Sequence, residues 1–215
     1  MYIMPSATRL VRRLRFGPPI VVVSGLPRSG TSMMMKMLGA GGLGLVTDRV
    51  RGADDSNPEG YFELEAVKDL DKTAIRDVRW LAEARGRAVK VLSALLPYLP
   101  ETYNYRVILM LRPLPEVIAS QNTMLARAGE ATDVIPLADL TTQYEMHLRK
   151  TRALLANRPC FETLIVEYGD VLADPRAQAD RVTRFVGRGL DVTAMAGAVD
   201  ERLYRNRIRE TQQTR

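Results

Sequence analysis

The feature that most restricts this chain is a short apolar run that leads directly into a glycine-rich turn. Residues 20–23, IVVV, are β-branched and favour a buried strand. The next segment, SGLPRSGTS at residues 24–32, places Gly25 and Gly30 in a tight turn, and residues 31 to about 40 predict a helix. Such a turn presents backbone N–H groups to an anion, and the helix dipole reinforces the attraction. We therefore expect a phosphate-binding loop.

This loop departs from the one that binds the phosphates of ATP or GTP. Its spacing is that of G-x-x-x-x-G-K-[ST], but Thr31 stands where the lysine would be. Backbone amides, hydroxyl groups and one guanidinium fork are enough to hold a single phosphate group. The residues expected to contact that group are Arg28, Ser29, Gly30, Thr31 and Ser32.

A second apolar run, YRVILML at residues 105–111, is followed by Arg112. NTPases place a metal-binding carboxylate at the corresponding strand end, so a cation there indicates a second phosphate gripped by the protein itself. The sequence thus predicts a nucleotide ligand with two separated phosphate sites and no required metal. A nucleotide kinase or NTPase with a degenerate loop, and a non-catalytic nucleotide-binding protein, are the alternatives.

Strand and helix patterns alternate along the chain. Predicted strands cover residues 20–24, 88–92, 105–111 and 161–166, and predicted helices cover 31–40, 63–84, 115–125, 137–157 and 175–186. This alternation predicts an α/β fold: a parallel sheet flanked by helices on both faces, a P-loop-like three-layer sandwich. Ligands of such sheets bind beyond the carboxyl ends of the strands, where Arg28 and Arg112 fall. We expect one domain over residues 19–215, preceded by a basic, frayed arm over residues 1–18.

Composition narrows the function classes. The net charge of +6 comes mainly from arginine, whose planar guanidinium binds phosphate and sulfate better than the ammonium group of lysine does. The charge is scattered along the chain, and the sequence shows no aromatic platform for binding nucleic acid. Cys160 and His147 are the only residues of their kinds, which argues against an internal disulfide and against multi-histidine zinc sites. No apolar run approaches the roughly 20 residues of a membrane span, and no secretory pattern is present, so we expect a cytoplasmic protein without a transmembrane segment.

Four segments resemble the sulfotransferases that use 3′-phosphoadenosine 5′-phosphosulfate (PAPS). PRSGTS resembles the family's 5′-phosphosulfate loop, and LRPLPEVIAS supplies Arg112 and Ser120 at the spacing of the pair that binds the 3′-phosphate. NPEGYFE, residues 57–63, is similar to a segment of bacterial members, and VEYGDVLADP, residues 166–175, is similar to the family's YEDL-x-x-DP. The resemblance spans residues 20–186. It implies a bacterial enzyme that transfers a sulfuryl group from PAPS to a hydroxyl or amine and releases 3′-phosphoadenosine 5′-phosphate (PAP).

Two departures from the family affect the expected catalytic residues. Many members carry a histidine base in a Lys-Thr-His-Leu-Pro strand, whereas residues 90–93 read Lys-Val-Leu-Ser. We expect Arg28 and Lys90 as catalytic cations and Glu63 as the first candidate for the base. The family's glycine-rich C-terminal segment is also missing, and Arg205 is expected to contact the 3′-phosphate in its place. Weaker candidates for the base are His147, Asp54, Asp55 and Glu65. The acceptor and the oligomeric state stay open.

Overall fold

The computed structural model describes residues 6–48, 62–72, 78–127, 129 and 136–200. Within these residues, four strands form one parallel sheet in the order β2-β1-β3-β4. The predicted strands are confirmed, although β2 ends earlier than expected because the chain turns into a 3₁₀ helix, Ser93–Tyr98. The strands are β1 (Ile20–Gly25), β2 (Ala88–Lys90), β3 (Tyr105–Leu111) and β4 (Phe161–Glu167).

The order of the strands creates a crevice at the centre of the sheet. The chain leaves β1 for β2 on one side and then returns to the other side for β3 and β4. β1 and β3 are therefore neighbours from which the connections diverge, and Gly25 pairs with Met110 at their carboxyl ends. Parallel sheets bind ligands at such a point, so the residues after β1 and after β3 form the expected site.

Helices cover both faces of the sheet, which confirms the three-layer arrangement. On one face, Val21, Val23 and Ile108 pack with α2, α8 and α9. On the other face, Val22 and Val107 pack with α3, α4, the 3₁₀ helix and α6. The described helices are α1 (Ser6–Phe16), α2 (Thr31–Ala40), α3 (Glu65–Lys68), α4 (Trp80–Glu83), α5 (Leu114–Arg127), α6 (Leu137–Asn157), α7 (Tyr168–Ala173), α8 (Pro175–Val186) and α9 (Val192–Gly197).

The prediction of one long helix over residues 63–84 is wrong. The segment instead forms the short helices α3 and α4, and residues 73–77 lie outside the described part. A turn follows α3, where the N–H of Lys72 donates to the carbonyl of Asp69 and their side chains form an ion pair of 2.6 Å. Val67, Leu70 and Trp80 still pack on the same face of the sheet. The apolar spacing therefore identified the buried face correctly but not the continuity of the helix.

The basic arm also differs from expectation, because residues 6–16 form helix α1 instead of a frayed tail. The guanidinium of Arg12 donates to Asn104 Oδ1 at 3.0 Å and to the carbonyl oxygens of Glu101 and Tyr103. The amide of Asn104 in turn donates to the carbonyl oxygens of Arg12 and Gly17. These bonds attach α1 to the loop before β3. None of the helices described here is long and apolar enough to cross a membrane.

Candidate functional site

The loop between β1 and α2 has a backbone that its glycines make possible. Gly25 has φ 154°, and a Cβ there would lie 2.6 Å from the carbonyl oxygen of Met110. Arg28 has φ 69° and Gly30 has φ 95°, both in the left-handed region. The hydroxyl of Ser29 donates to the carbonyl of Leu26 at 2.7 Å, so this buried side chain holds the turn closed. The loop is therefore a shaped structure with little room for other residues.

Helix α2 starts directly from this loop. Its N-cap is Gly30, which has no side chain that could cap the first amides by a hydrogen bond. Thr31, the first helical residue, is buried, and Ser32 beside it is half-buried. A helix start of this kind attracts an anion through its amides and its dipole. The geometry thus suits the single phosphate group predicted for the loop.

Arg28, Arg112 and Ser120 meet in one hydrogen-bonded group between the loop and helix α5. Nε of Arg28 donates to Oγ of Ser120 at 3.0 Å, and Nη1 of Arg112 donates to the carbonyl oxygen of Arg28 at 3.3 Å. Residues that follow two different strands are thereby joined across the crevice. The sequence predicted that both arginines lie at this edge, and the family resemblance paired Ser120 with Arg112. The contact between Ser120 and Arg28 is known only from the tertiary structure.

Two residues that sequence reasoning missed complete the surroundings of Arg112. Glu116 Oε2 accepts a hydrogen bond from Arg112 Nε at 2.9 Å, and both side chains are almost fully buried. The guanidinium also lies over the ring of Tyr168, 4.6 Å from its centroid. The same ring occupies the space that a Cβ on Gly30 would enter. The i,i+4 spacing of Arg112 and Glu116 and the tyrosine of VEYGD were the available signals.

The structure also brings Glu63 and Lys90 together. Lys90 ends β2 beside Val23 of β1, and its Nζ lies 3.4 Å from Glu63 Oε1. Side chains alternate along a strand, and Ala88 packs on the α2 side of the sheet, so Lys90 belongs to that side as well. The backbone carbonyl of Glu63 accepts from the hydroxyl of Thr47 at 2.8 Å. A carboxylate and an ammonium group thus share the carboxyl edge of the sheet.

Lys68 and Phe62 also set the position of Glu63. Lys68 Nζ lies 3.7 Å from Glu63 Oε2, and its closer partner is Glu65 at 2.6 Å. Phe62, directly before Glu63, has φ 50°, a conformation that is uncommon for a residue other than glycine, and its ring packs against the core on the α2 side. Backbone of this kind persists only where the surrounding structure holds it, and it is found often at functional sites.

His147 lies near the segment that lacks the family's histidine. Its Nε2 is 2.7 Å from Oγ of Ser93, the residue three positions after Lys90, and 3.4 Å from Oγ1 of Thr151. Burial lowers the pKa of His147, and the charge of Lys150 lowers it further. This shift favours the neutral imidazole, the form that a general base requires.

The remaining candidates are exposed or lie outside the described residues. Glu65 is an exposed partner of Lys68, and its backbone N–H donates to the carboxylate of Asp48. Arg205, Asp54 and Asp55 lie outside the described part of the chain. Across the described ranges, no group of three or more His, Cys, Asp or Glu side chains could hold a metal ion.

Comparison with known proteins identifies the family by sequence. Residues 18–214 match the profile of the sulfotransferase domain family. No curated protein sequence matches the chain.

Three solved structures with a similar fold are described as sulfotransferases or sulfotransferase domains. Sulfotransferase STF1 from Mycobacterium tuberculosis is similar at 19% identity, with a TM-score of 0.55 over 89% of this chain and 76% of that one. The sulfotransferase domain of the Synechococcus olefin synthase is similar at 18% identity, with a TM-score of 0.50 over 94% and 82% of the two chains. The sulfotransferase domain of the curacin biosynthetic pathway is 16% identical, with a TM-score of 0.50 over 85% and 78%.

Proposed function

Because this chain belongs to the sulfotransferase domain family, we propose that it transfers a sulfuryl group from PAPS to a hydroxyl or amine. The observation that carries this proposal is the group formed by Arg28, Arg112 and Ser120 at the crevice between β1 and β3. It combines a loop suited to one phosphate with a buried guanidinium and a hydroxyl suited to another. A nucleotide that carries phosphates at both its 5′ and 3′ positions matches two such places.

Each part of the site has a role in holding this donor. The amides at the start of α2, with Arg28, Gly30, Thr31 and Ser32, would bind the 5′-phosphosulfate. Ser29 is a further predicted contact, although its hydroxyl already donates to the carbonyl of Leu26 and closes the turn. Arg112 and Ser120 would bind the 3′-phosphate, and Arg205 stays a predicted third contact there.

The buried surroundings of Arg112 favour recognition of a phosphate. Glu116 and the ring of Tyr168 hold the guanidinium in place before any ligand arrives. A group held in position loses little conformational entropy on binding. The carboxylate of Glu116 also offsets the charge of Arg112, so the 3′-phosphate is recognised by position and hydrogen bonds as well as by charge.

The reaction requires a cation at the donor and a base at the acceptor. When bound, PAPS supplies an activated sulfuryl group on its 5′-phosphate. A bond forms between sulfur and the acceptor oxygen or nitrogen, the bond from sulfur to the bridging oxygen breaks, and its electron pair stays with PAP. Lys90 and Arg28 would stabilise the negative charge that develops on that oxygen, and Glu63 would take the proton of the acceptor. We propose that the reaction needs no metal, because Arg112 stands at the strand end where NTPases place a metal-binding carboxylate.

His147 is the second candidate for the base. Burial lowers its pKa and thereby favours the neutral imidazole, and the ring contacts Ser93 on the segment that follows Lys90. Glu63 ranks first because its carboxylate lies directly beside Lys90. The acceptor stays unidentified, and the cytoplasm and a bacterial source stay predictions.

Calorimetric titration tests the donor site. The chain is titrated with PAP and separately with ATP, each in EDTA and in Mg²⁺. We expect PAP to bind without a metal and ATP to bind weakly, because the loop lacks the lysine that reaches the outer phosphates. Mg²⁺-dependent binding of ATP without binding of PAP would replace this proposal with a nucleotide kinase or NTPase.

Ser120→Ala tests which phosphate the α5 residues contact. A hydrogen bond to a charged group contributes about 1.5–3 kcal/mol, so PAP should bind at least tenfold more weakly to the variant. Binding of 5′-AMP, which lacks the 3′-phosphate, should weaken much less, because Ser120 reaches the 5′ side only through Arg28. Thr123→Ala on the same helix is the matched control, because its exposed hydroxyl donates within the helix to Ala119. An equal loss for PAP and 5′-AMP would contradict the assignment of the 3′-phosphate.

A further inference from the structure

Helix α1 is attached to the domain by its polar side and turns its apolar side outward. Arg12 is anchored by Asn104 and by two backbone carbonyls, and Arg9 Nε lies 3.8 Å from Glu162 Oε1. Leu10, Val11 and Leu14 are 60%, 63% and 80% exposed. A surface helix of a globular protein normally buries the apolar face against the core. α1 therefore has the reverse orientation.

The exposed residues form one continuous stripe. At 3.6 residues per turn, they fall within roughly 100° of the helix circumference, opposite to Arg12 and Phe16. We call this set the apolar stripe of α1: Ala7, Leu10, Val11 and Leu14. Exposed Arg13 borders the stripe on one side and exposed Arg15 on the other. Apolar side chains between flanking arginines are the pattern of a helix that lies in the plane of a membrane surface.

A cationic cleft continues from the same helix onto the domain. It has a volume of about 230 Å³, and Arg9, Arg13, Arg106 and Leu10 contribute to its wall. Glu162 is its acidic residue, at 3.5 Å from Arg106 Nε as well as 3.8 Å from Arg9. The three arginines exceed the one carboxylate, so the surface beside the apolar stripe is positive. Anionic lipid headgroups complement this charge.

We propose that α1 anchors the protein to anionic phospholipid membranes, with its apolar stripe inserted among the lipids and Arg13 and Arg15 at the headgroups. A second copy of the chain fits the surface less well. A stable protein interface uses roughly 20–30 residues on each side, more than one face of an 11-residue helix offers. Two copies packed through the stripe would also bring their flanking arginines together, whereas lipid phosphates neutralise them.

This anchor leaves the proposed nucleotide site open. α1 is attached next to Asn104 and Glu162, at the amino ends of β3 and β4, whereas the phosphate loop follows the carboxyl end of β1. A strand of seven residues separates the two edges by roughly 20 Å. The membrane would thus hold one edge of the sheet while the nucleotide site at the opposite edge faces away from the lipids.

Vesicle co-sedimentation of the full chain tests the anchor. Phosphatidylcholine vesicles are compared with vesicles of equal parts phosphatidylcholine and phosphatidylserine at physiological ionic strength. We expect binding to the anionic vesicles, and at least about tenfold weaker binding after Leu10→Ser with Leu14→Ser. Arg13→Gln with Arg15→Gln should weaken binding to anionic vesicles and reduce its salt dependence. Leu137→Ser, at another exposed leucine, is the matched control and should bind as the unchanged chain does.

Thermal unfolding and titration with PAP accompany each variant. Because Leu10 and Leu14 are exposed, their replacement should leave folding and PAP binding unchanged, so failure of the anchor is distinct from failure of the nucleotide site. Absence of vesicle binding by the unchanged chain, or equal binding by the leucine variant, would overturn the proposal. A concentration-dependent dimer that the leucine variant abolishes, without vesicle binding, would assign the stripe to a second copy.

Discussion

Arg112 shows how one residue combines recognition with stability. Its guanidinium is hydrogen-bonded to Glu116, lies over Tyr168 and donates to the carbonyl of Arg28. Removing one partner of a buried ion pair leaves the other charge without compensation, which costs about 3–5 kcal/mol. A loss of ligand binding in Arg112→Ala would therefore mix a local effect with damage to the fold.

The double variant Arg112→Gln with Glu116→Gln separates these effects. It removes both charges and retains amide groups of similar size. We expect urea unfolding to show a smaller loss of stability than in Arg112→Ala, and PAP binding to fall tenfold or more while 5′-AMP binding is retained. A double variant that binds PAP as tightly as the unchanged chain would show that Arg112 is structural only.

Glu63→Gln tests the proposed base. The amide retains the shape of the side chain but cannot take a proton, so turnover with PAPS and an accepted substrate should fall by about 10²–10⁴-fold. Donor affinity, measured by titration with PAP, should change little. Glu65→Gln is the control, since that carboxylate is exposed and pairs with Lys68. If Glu63→Gln retains full turnover and His147→Gln loses it, the base is His147.

At the scale of elements, the turn between β1 and α2 depends on the close approach of Tyr168 as well as on its glycines. Tyr168, the first residue of α7, fills the space above Gly30. β4 delivers this tyrosine to the loop, because β4 is parallel to β3 and the carboxyl ends of the two strands coincide. The VEYGD segment therefore supports the phosphate loop from the neighbouring strand.

Gly30→Ala should cost more stability than Gly42→Ala. Both glycines have left-handed backbone, with φ 95° and 89°, and alanine there costs about 1–2 kcal/mol. A Cβ at position 42 meets open space, whereas one at position 30 meets Tyr168. We expect urea unfolding to show the larger loss for Gly30→Ala, together with weaker PAP binding. Equal losses of stability would mean that Tyr168 moves away without cost.

At the scale of the whole molecule, the strand order decides which residues share a site. The 79 residues from Leu26 to Asn104 separate β1 from β3 in sequence, yet the two strands are hydrogen-bonded neighbours. This pairing brings Arg28 to Ser120 and Arg112 to the loop. A ligand that contacts both the β1–α2 loop and the residues around Arg112 and Ser120 would therefore connect the centre of the sheet to α2 and α5.

Ligand binding should consequently stabilise the entire domain. A ligand at 100 times its dissociation constant adds about 2.7 kcal/mol to the free energy of unfolding. For a chain of this size that corresponds to a rise in Tm of about 5–10 °C with PAP in EDTA, measured by differential scanning calorimetry. The Ser120→Ala variant should show a smaller rise at the same PAP concentration. Stabilisation by ATP and Mg²⁺ with none by PAP would contradict the proposed donor.

Much of the fold and part of the site could be predicted from local patterns. The β-branched runs predicted the buried strands, and the glycine spacing predicted the loop that enters α2, because these signals depend on neighbouring residues only. The prediction of a continuous helix over residues 63–84 was wrong, since two short helices that pack on one face of the sheet satisfy the same apolar spacing. The outward apolar stripe of α1 also could not be predicted, because its orientation depends on where Arg12 binds.

The sequence alone determined the family, the parallel α/β architecture and the strand-end positions of Arg28 and Arg112. These properties follow from chain order and local chemistry. Three contacts follow from the three-dimensional arrangement instead: Arg28 with Ser120, Arg112 with Glu116 and Tyr168, and Glu63 with Lys90. Such contacts join residues that are brought together by strand pairing and helix packing, and no local pattern specifies which long side chains will then come within hydrogen-bonding distance.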